Sequence, residues 1–489
     1  MQNDAEEWGV GLPRMTKESH LPQGQQTRER IEPVEIDIGR AIDEAPISAL
    51  QWRVFALTLI ASIVDGFDTM VMSFLAPAIT HQWGASHAAF GLVFSATLLG
   101  AAIGAATLGL LADRVGRKKL VITAILWFGL LTIACAFASG ISSLVALRFL
   151  AGLGLGGAIP NMLALAAEYS PARRRSTIVS VITWGTPLGA VLGGLLAPVV
   201  LAAADWRAML LVAGVAPVLL VPCLAIGLPE SVRFLALRGG DDAGLRTILQ
   251  RISPGLLAKP DTRFVLPERT IARATIGALF RDGLAAGTIL LSAAMFSSLL
   301  LSFMLVNWTP TLLERAGIPL SDAILGTIVL NLSGIVGSLA IARVVDGRMR
   351  GSAVLAASYV CAVAAILCAG TATMIAGTPL LVLMTTLGAS GFFLIGSQIT
   401  LSAYITAYFP TALRGTGIGF NNAVARCGSL LGPALGGLLL SSGIDPAHIL
   451  FAGIIPGTLS AIALACLAVS QARAQAPAPT HLVKNRGIA

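Results

Sequence analysis

Long apolar runs, broken by short polar connections, fill the chain from residue 53 to residue 470. A helix rising about 1.5 Å per residue needs about 20 apolar residues to cross a hydrocarbon core of roughly 30 Å. Twelve runs are long enough: 53–80, 88–112, 119–139, 142–168, 177–201, 207–228, 284–312, 322–343, 352–371, 378–408, 415–441 and 447–470. The longest gap, 229–283, is polar and contains "LPESVRFLALRGGDDAGL". The pattern predicts an all-α membrane protein with 12 transmembrane helices. A six-helix bundle over 53–228 is joined by a central cytoplasmic linker, 229–283, to a second bundle over 284–470, with tails at 1–52 and 471–489.

Composition agrees. The chain is 55% hydrophobic and 12% charged, with a mean hydropathy of +0.82, whereas a soluble domain carries about 25% charged residues. The single-core soluble classes are excluded. Positive charge alternates from one connection to the next. Arg114, Arg117, Lys118 and Lys119 follow span 2, Arg173, Arg174 and Arg175 follow span 4, Arg343, Arg348 and Arg350 follow span 8, and Arg414 follows span 10. The other side holds Arg207 and Arg315. Basic connections stay on the cytoplasmic side, so both termini are expected there. The net charge of +8 then reflects loop topology, and no nucleic-acid partner is expected. The opening "MQNDAEEWGVGLPRMTKESH" has no apolar core of a secretory signal; most of the first fifty residues are expected to be a cytoplasmic tail of low order. A multi-pass protein of the bacterial inner membrane, working as a monomer in the lipid bilayer, is the expectation.

The halves echo one another. "EYSPARRRST" (168–177) returns as "YFPTALRGTG" (408–417), each after the fourth span of its half, and "LLADRVGRKK" (110–119) has a weaker echo in "ARVVDGRMRG" (342–351). Two parallel repeats about an axis along the membrane normal are the architecture of a rocking transporter.

Two aspartates interrupt span 1, in "IVDGFDTM" (63–70). Asp65 lies twelve residues past Arg53, about 18 Å along the helix and close to mid-membrane. Asp68, three residues on, shares its face. A charge at that depth costs roughly 2.5–3.5 kcal/mol, and such residues usually line a cavity and serve a pathway. Ionising both neighbours is costlier still, so the pair is expected to take up and release a proton; a structural pair bound to basic partners is the alternative. Arg426 in span 11 lies twelve residues past Arg414, at a matching depth, with a fork suited to a carboxylate. It either clamps an anionic substrate or partners an aspartate. Arg148, several residues inside span 4, either contacts substrate or snorkels to the surface. Glu168, at the end of span 4 beside Arg173–Arg175, is expected in an ion pair at the gate.

Further candidates have narrower readings. In "GLLADRVGRKK", Gly109 and Gly116 permit close approach and tight turning. Asp113 suits a helix N-terminus or a basic partner, and Arg114 and Arg117 can pair across the cytoplasmic face, so the segment reads as a conformational latch. "GLGLGGAIP" (152–160), "GTPLGAVLGG" (185–194) and "GPALGGLLL" (432–440) read as helix packing on small residues, with Pro187 and Pro433 as bend points. Phe67, Trp184, Asn307, Trp308, Gln398, Tyr404, Asn421 and Asn422 are candidates for a cavity lining, with Asn307, Trp308 and Gln398 foremost. Cys135, Cys223, Cys361, Cys368, Cys427 and Cys466 fall in apolar runs without metal-ligand spacing and are expected as small buried hydrophobes. His20, His81, His87, His448 and His481 lie in tails or short loops. No metal or cofactor is expected.

Taken together, "GLLADRVGRKK" resembles the loop 2–3 signature of the major facilitator superfamily. More narrowly, "DGFDTMVMSFLAPAI" (65–79) resembles the first span of its aromatic acid:proton symporter family. "AIDEAPISALQWRV" (41–54), "RFLAGLGLGGAIPN" (148–161), "LPESVRFLALRG" (228–239) and "RGTGIGFNNAVARCGSLLGP" (414–433) agree, over about residues 40–470. One segment departs: this family often reads close to "GxQxGLNAL" where this chain has "GSQITLSAY" (396–404), with Ser402 in place of an amide. The resemblance implies the major facilitator fold and proton-driven uptake of aromatic carboxylates such as hydroxybenzoates, protocatechuate or hydroxyphenylpropionate, with Asp65 and Asp68 essential, Asp113 in the gate and Arg426 handling substrate. Some members carry dicarboxylates or other organic acids.

The expectation is therefore alternating access driven by protons, with a small organic anion as substrate. Two transport alternatives stay open. "PESVRFL" has relatives among sugar porters, and the Gly/Pro pattern of span 5 occurs in drug exporters. A sensor would not need the repeated latch, and an enzyme would need a nucleophile–base or metal constellation that the sequence lacks.

Overall fold

A computed structural model describes residues 35–238, 242–253, 263–265, 275–281, 283–346, 351–375, 377–410 and 413–475. Arg348, Arg350, His20, His481, much of the 229–283 linker, residues 1–34 of the N-terminal tail and residues 476–489 of the C-terminal tail lie outside these. Among the described residues twelve helices are long and apolar enough to span a membrane. They are α1 (Ala49–Trp83), α2 (His87–Val115), α3 (Arg117–Cys135), α4 (Ile141–Glu168), α5 (Ala172–Ala203), α6 (Trp206–Gly227), α7 (Ala285–Arg315), α8 (Leu320–Asp346), α9 (Gly351–Met374), α10 (Leu380–Tyr408), α11 (Arg414–Ser441) and α12 (Pro446–Arg473).

Local chemistry sets several of the ends. Ser48 and Gln51 form a reciprocal capping box that starts α1, and Gly84 at φ 58° ends it. α5 is broken at Trp184 into Ala172–Thr183 and Gly185–Ala203. The break falls three residues before Pro187, whose ring would clash with the Thr183 carbonyl of a continuous helix. Pro433, by contrast, stays inside α11.

Helix pairs recur in the two halves: α2 packs on α4 as α8 packs on α10, α1 on α5 as α7 on α11, and α3 on α4 and α6 as α9 on α10 and α12. Without a hydrophobic drive between helices in lipid, close backbone approach at small residues holds such pairs. A Cβ on Gly66 would collide with the backbone of Thr186, and one on Gly428 with the carbonyl of Phe296. The small-residue pattern of span 5 is thus the seat of α1.

The halves meet at one end. We call the face where α1 starts and α12 ends proximal, and the opposite face distal. Contacts across the halves join α2 to α11, α5 to α8 and α1 to α7, through their distal portions. Ser73 Oγ donates to the carbonyls of Val306 and Asn307 at 3.0 and 2.8 Å, Ser95 Oγ to that of Leu430 at 2.9 Å, and the Ala88 N–H to Ser441 Oγ at 2.7 Å. Toward the proximal face the same helices part: Gly109 on α2, and Gly415 and Gly419 on α11, have no heavy atom of the described residues within 4 Å of where a Cβ would stand. The structure is closed distally and open proximally.

Proximal segments are more ordered than the sequence predicts. Residues Ile38–Glu44 form a helix, and Glu35–Asp37 pairs as a parallel strand with Arg263–Val265 of the linker. Ile38, Ile42 and Ala45 join Val232, Leu245, Leu249 and Ile252 in one apolar cluster with the first half. These apolar side chains recur along short amphipathic helices, and their burial corrects the expectation of a tail of low order for residues 35–45. The cysteines are free, and only Cys135 is buried. The other five correct the expectation of burial: on a membrane helix the outward face meets lipid, so an apolar residue needs no protein cover.

Candidate functional site

Asp65 and Asp68 lie near the midpoint of α1 with 3% and 0% exposure. Their surroundings differ. Asp68 Oδ2 accepts from Arg148 Nη1 of α4 at 3.0 Å, and Oδ1 accepts from Thr132 Oγ1 of α3 at 2.6 Å. Both oxygens are therefore committed inside the first half. Arg148 is 0% exposed, so it neither snorkels nor reaches the cavity. Its Nε and Nη2 have no hydrogen-bond partner among the described residues. Thr132 was not among the sequence candidates, although a hydroxyl in the apolar run "LLTIAC" was the available signal.

Asp65 Oδ1 is buried without a hydrogen-bond partner among the described residues. The charges acting on it are those of Asp68 and of Arg426, which belongs to the opposite half. Arg426 is half-buried, and no ion pair of 4.0 Å or less joins it to Asp65 among the described residues. The arrangement is a carboxylate and a guanidinium from opposite halves, near enough at mid-membrane for their charges to act on each other and without an ion pair between them among the described residues.

The proposed lining residues divide. Asn307 donates to the Phe303 carbonyl of its own helix at 2.8 Å. Trp308, 0% exposed, packs edge-on against Phe94 across the halves, with ring centres 5.3 Å apart. Its indole N–H donates to the Pro433 carbonyl at 2.9 Å. Trp308 therefore belongs to the distal seam. Phe67 is buried against Gly193. Asn421 accepts from Ser292 at 3.1 Å, and Tyr404 is bonded to Gln471. Gln398 and Trp184 are half-buried, and Asn422 and Ser402 are exposed. Gln398 Oε1 is buried and has no donor among the described residues, which holds for no other side-chain atom of the three foremost lining candidates.

The latch segment forms a second constellation at the proximal face. Arg117 lies 3.2 Å from Glu168 and 3.6 Å from Asp113. Glu168 also accepts from Ser231 Oγ at 2.5 Å. Glu230 accepts from the N–H groups of Lys118 and Ser231, each at 2.9 Å. The Glu168 partner is thus Arg117, while Arg173 turns to the carbonyls of Asp43 and Ala45. Gly116 has φ 106° and ψ 141°, and a Cβ there would press on the Glu230 carboxylate at 2.5 Å. Glycine is required on both counts. Asp113, 71% exposed, and Arg114, also exposed, face open space. The Arg117–Asp113 contact, this exposed on the aspartate side, contributes little.

No group of three or more His, Cys, Asp or Glu able to hold a metal occurs among the described residues. Known proteins resemble the chain closely. A gallate transporter of Pseudomonas putida is 37% identical over 91% of this chain and 98% of its own length. A 4-hydroxybenzoate transporter of Pseudomonas aeruginosa is 33% identical over 88% and 95%. In fold, a partially occluded inward-open xylose transporter from Escherichia coli matches with a TM-score of 0.66 at 19% identity, over 86% of this chain and 97% of its own. Residues 58–402 match the Major Facilitator Superfamily, and with that match the repeated halves and the distal seam have one explanation: the chain belongs to this superfamily.

Proposed function

We propose that the protein imports aromatic carboxylates of the hydroxybenzoate kind together with protons, by alternating access, across the bacterial inner membrane and as a monomer. Its family and relatives are transporters, so it is a transporter and not an enzyme. The substrate class rests on relatives named for gallate, 4-hydroxybenzoate and benzoate transport. The observation that carries the mechanism is the contrast within one helical turn: Asp68 is fully bonded, whereas Asp65 is buried, unpaired and opposed by Arg426.

In this reading Asp65 carries the proton, and Asp68, with Arg148 and Thr132, is a fixed part of the first half. When the site opens distally, Asp65 protonates and the substrate carboxylate pairs with Arg426. Both charges of the empty site are then neutralised, which lowers the cost of closing a low-dielectric cavity around them. The halves rock to the proximally open arrangement described above, where substrate and proton leave. The basic connections support reading that face as the cytoplasmic one. Moving a lone anion inward against an inside-negative potential of 100 mV costs about 2.3 kcal/mol. One accompanying proton cancels that cost, and a second lets the potential drive uptake.

The test is uptake of labelled 4-hydroxybenzoate and gallate into vesicles, with and without an imposed proton gradient, by the protein and by Asp65→Asn. Gradient-driven accumulation by the protein alone is expected, with competition by benzoates and none by hexoses. Competition by a hexose or an aliphatic dicarboxylate in place of benzoates would overturn the substrate class. Normal accumulation by Asp65→Asn would overturn the proton site.

A further inference from the structure

We propose that a groove on the outer surface of the first half holds one anionic phospholipid, its headgroup on Lys119 and one acyl chain between α2, α3 and α4. The groove is a cavity of about 400 Å³. Leu108, Leu111 and Val115 of α2 form one wall, Leu120 and Trp127 of α3 the other, and Leu153 of α4 the floor. It opens away from the seam between the halves: Leu111, Val115 and Trp127 are 42%, 42% and 48% exposed, which in a membrane means exposed to lipid. Along α3 it runs from Lys119 to Trp127, about 12 Å at the helical rise, so it lies within one leaflet of roughly 15 Å, the proximal one.

Polar capacity is nearly absent from its walls. Thr107 and Thr123 also line it, but their hydroxyls donate to the carbonyls of Ile103 and Lys119 in their own helices, at 2.8 and 2.9 Å. They therefore offer methyl groups to the groove. The Trp127 indole N–H is taken by the Leu150 carbonyl at 2.9 Å, which also pins the ring in place. Lys119 remains. It is exposed, and its ammonium has no ion pair among the described residues. It stands at the proximal mouth, with Arg114 exposed on the facing helix end.

An apolar groove alone selects nothing in a bilayer, because every lipid tail is as apolar as leucine. Selection must come from the mouth, where the unpaired cation favours a negatively charged headgroup. A basic pocket at the cytoplasmic level between spanning helices is suited to that chemistry. One basic residue near the surface is expected to give about a fivefold preference for an anionic over a zwitterionic lipid.

Trp127 is the natural reporter. The full-length protein, in nanodiscs of phosphatidylcholine, would be titrated with phosphatidylglycerol or phosphatidylcholine carrying brominated acyl chains. The difference from Trp127→Phe isolates quenching of Trp127. Brominated phosphatidylglycerol is expected to quench at about fivefold lower mole fraction than brominated phosphatidylcholine. Lys119→Ala should erase the preference, Lys119→Arg should keep it, and Thr107→Phe, which fills the groove, should weaken quenching by both lipids. Equal quenching by the two lipids in the parent protein would overturn the site. So would a preference that persists in Lys119→Ala.

Discussion

The two aspartates of α1 should separate cleanly on substitution. Asp68→Asn removes the charge that balances Arg148 at a place where both side chains are 0% exposed. Arg148 already has Nε and Nη2 without partners, so losing its one ionic bond leaves an uncompensated cation in the first half. Breaking a buried pair from one side costs about 3–5 kcal/mol. Asp65→Asn breaks no hydrogen bond of Oδ1 and should change stability by less than about 1 kcal/mol. The double variant Asp68→Asn/Arg148→Gln leaves no lone charge and should be more stable than the sum of its single changes, by about 1–3 kcal/mol.

Two assays read this out. Reversible unfolding in mixed micelles gives the stabilities. Transport is then followed in two modes, net accumulation driven by a proton gradient and exchange of labelled for unlabelled substrate, which moves no net proton. Asp65→Asn should lose accumulation and keep exchange. Asp68→Asn should lose both in proportion to folded protein, and the double variant should regain part of each. Equal stability of the two single variants, or accumulation by Asp65→Asn, would refute the division of labour.

Other consequences follow from the seam and the latch. Gly109→Phe has room in the proximally open state, so it should fold normally yet obstruct proximal closure, lowering uptake at least about tenfold while leaving stability within about 1 kcal/mol; uptake and unfolding measured together check this. Trp308→Ala removes the largest side chain of the distal seam and its bond to Pro433. Its contacts with Phe94 and His87 across the halves supply part of a packing loss of about 3–5 kcal/mol, and losing that part should favour the distally open state, read as faster labelling of a Ser95→Cys reporter by an impermeant maleimide. Tyr169→Phe strands the Glu230 carbonyl, which now accepts from the phenol at 2.6 Å, and should cost about 1–3 kcal/mol. Burial and the neighbouring glutamates hold this phenol well above the usual tyrosine range. It therefore stays a donor at every lower pH, and the loss, followed by unfolding across pH, should be flat.

The helices were legible because each must carry enough apolar residues to cross a bilayer, a demand imposed by water and lipid and independent of partners. The depths of Asp65 and Arg426 were legible for the same reason, since rise per residue converts sequence distance into height. What the sequence left open was azimuth. Whether Arg148 points to lipid, cavity or protein depends on how α4 is rotated against α1 and α3. That rotation is set by which small residues meet, and a single sequence does not show it. Trp308 illustrates the same gap: its height suits a cavity wall, while its rotation makes it part of the distal seam. The order of residues 35–44 is hard to see in the sequence for another reason, because the amphipathic period is short and lies beside a polar tail.

The spacing in "DGFD" answers why one turn of helix carries two carboxylates and a glycine. Residues three apart share a face but are offset by about 60° around the axis. That offset is enough for Asp68 to reach α3 and α4 while Asp65 remains at the border with the other half. Gly66, on the side turned to α5, allows the backbones to approach where a Cβ would strike Thr186, which holds α1 at a fixed rotation. A fixed rotation matters because the two roles are incompatible in one residue. A carboxylate that must gain and lose a proton cannot also be the permanent counter-charge of a buried arginine. In the proposed mechanism Asp68 therefore keeps Arg148 neutralised through every step, and that constancy would let an Asp65 proton respond to what occupies the space before Arg426.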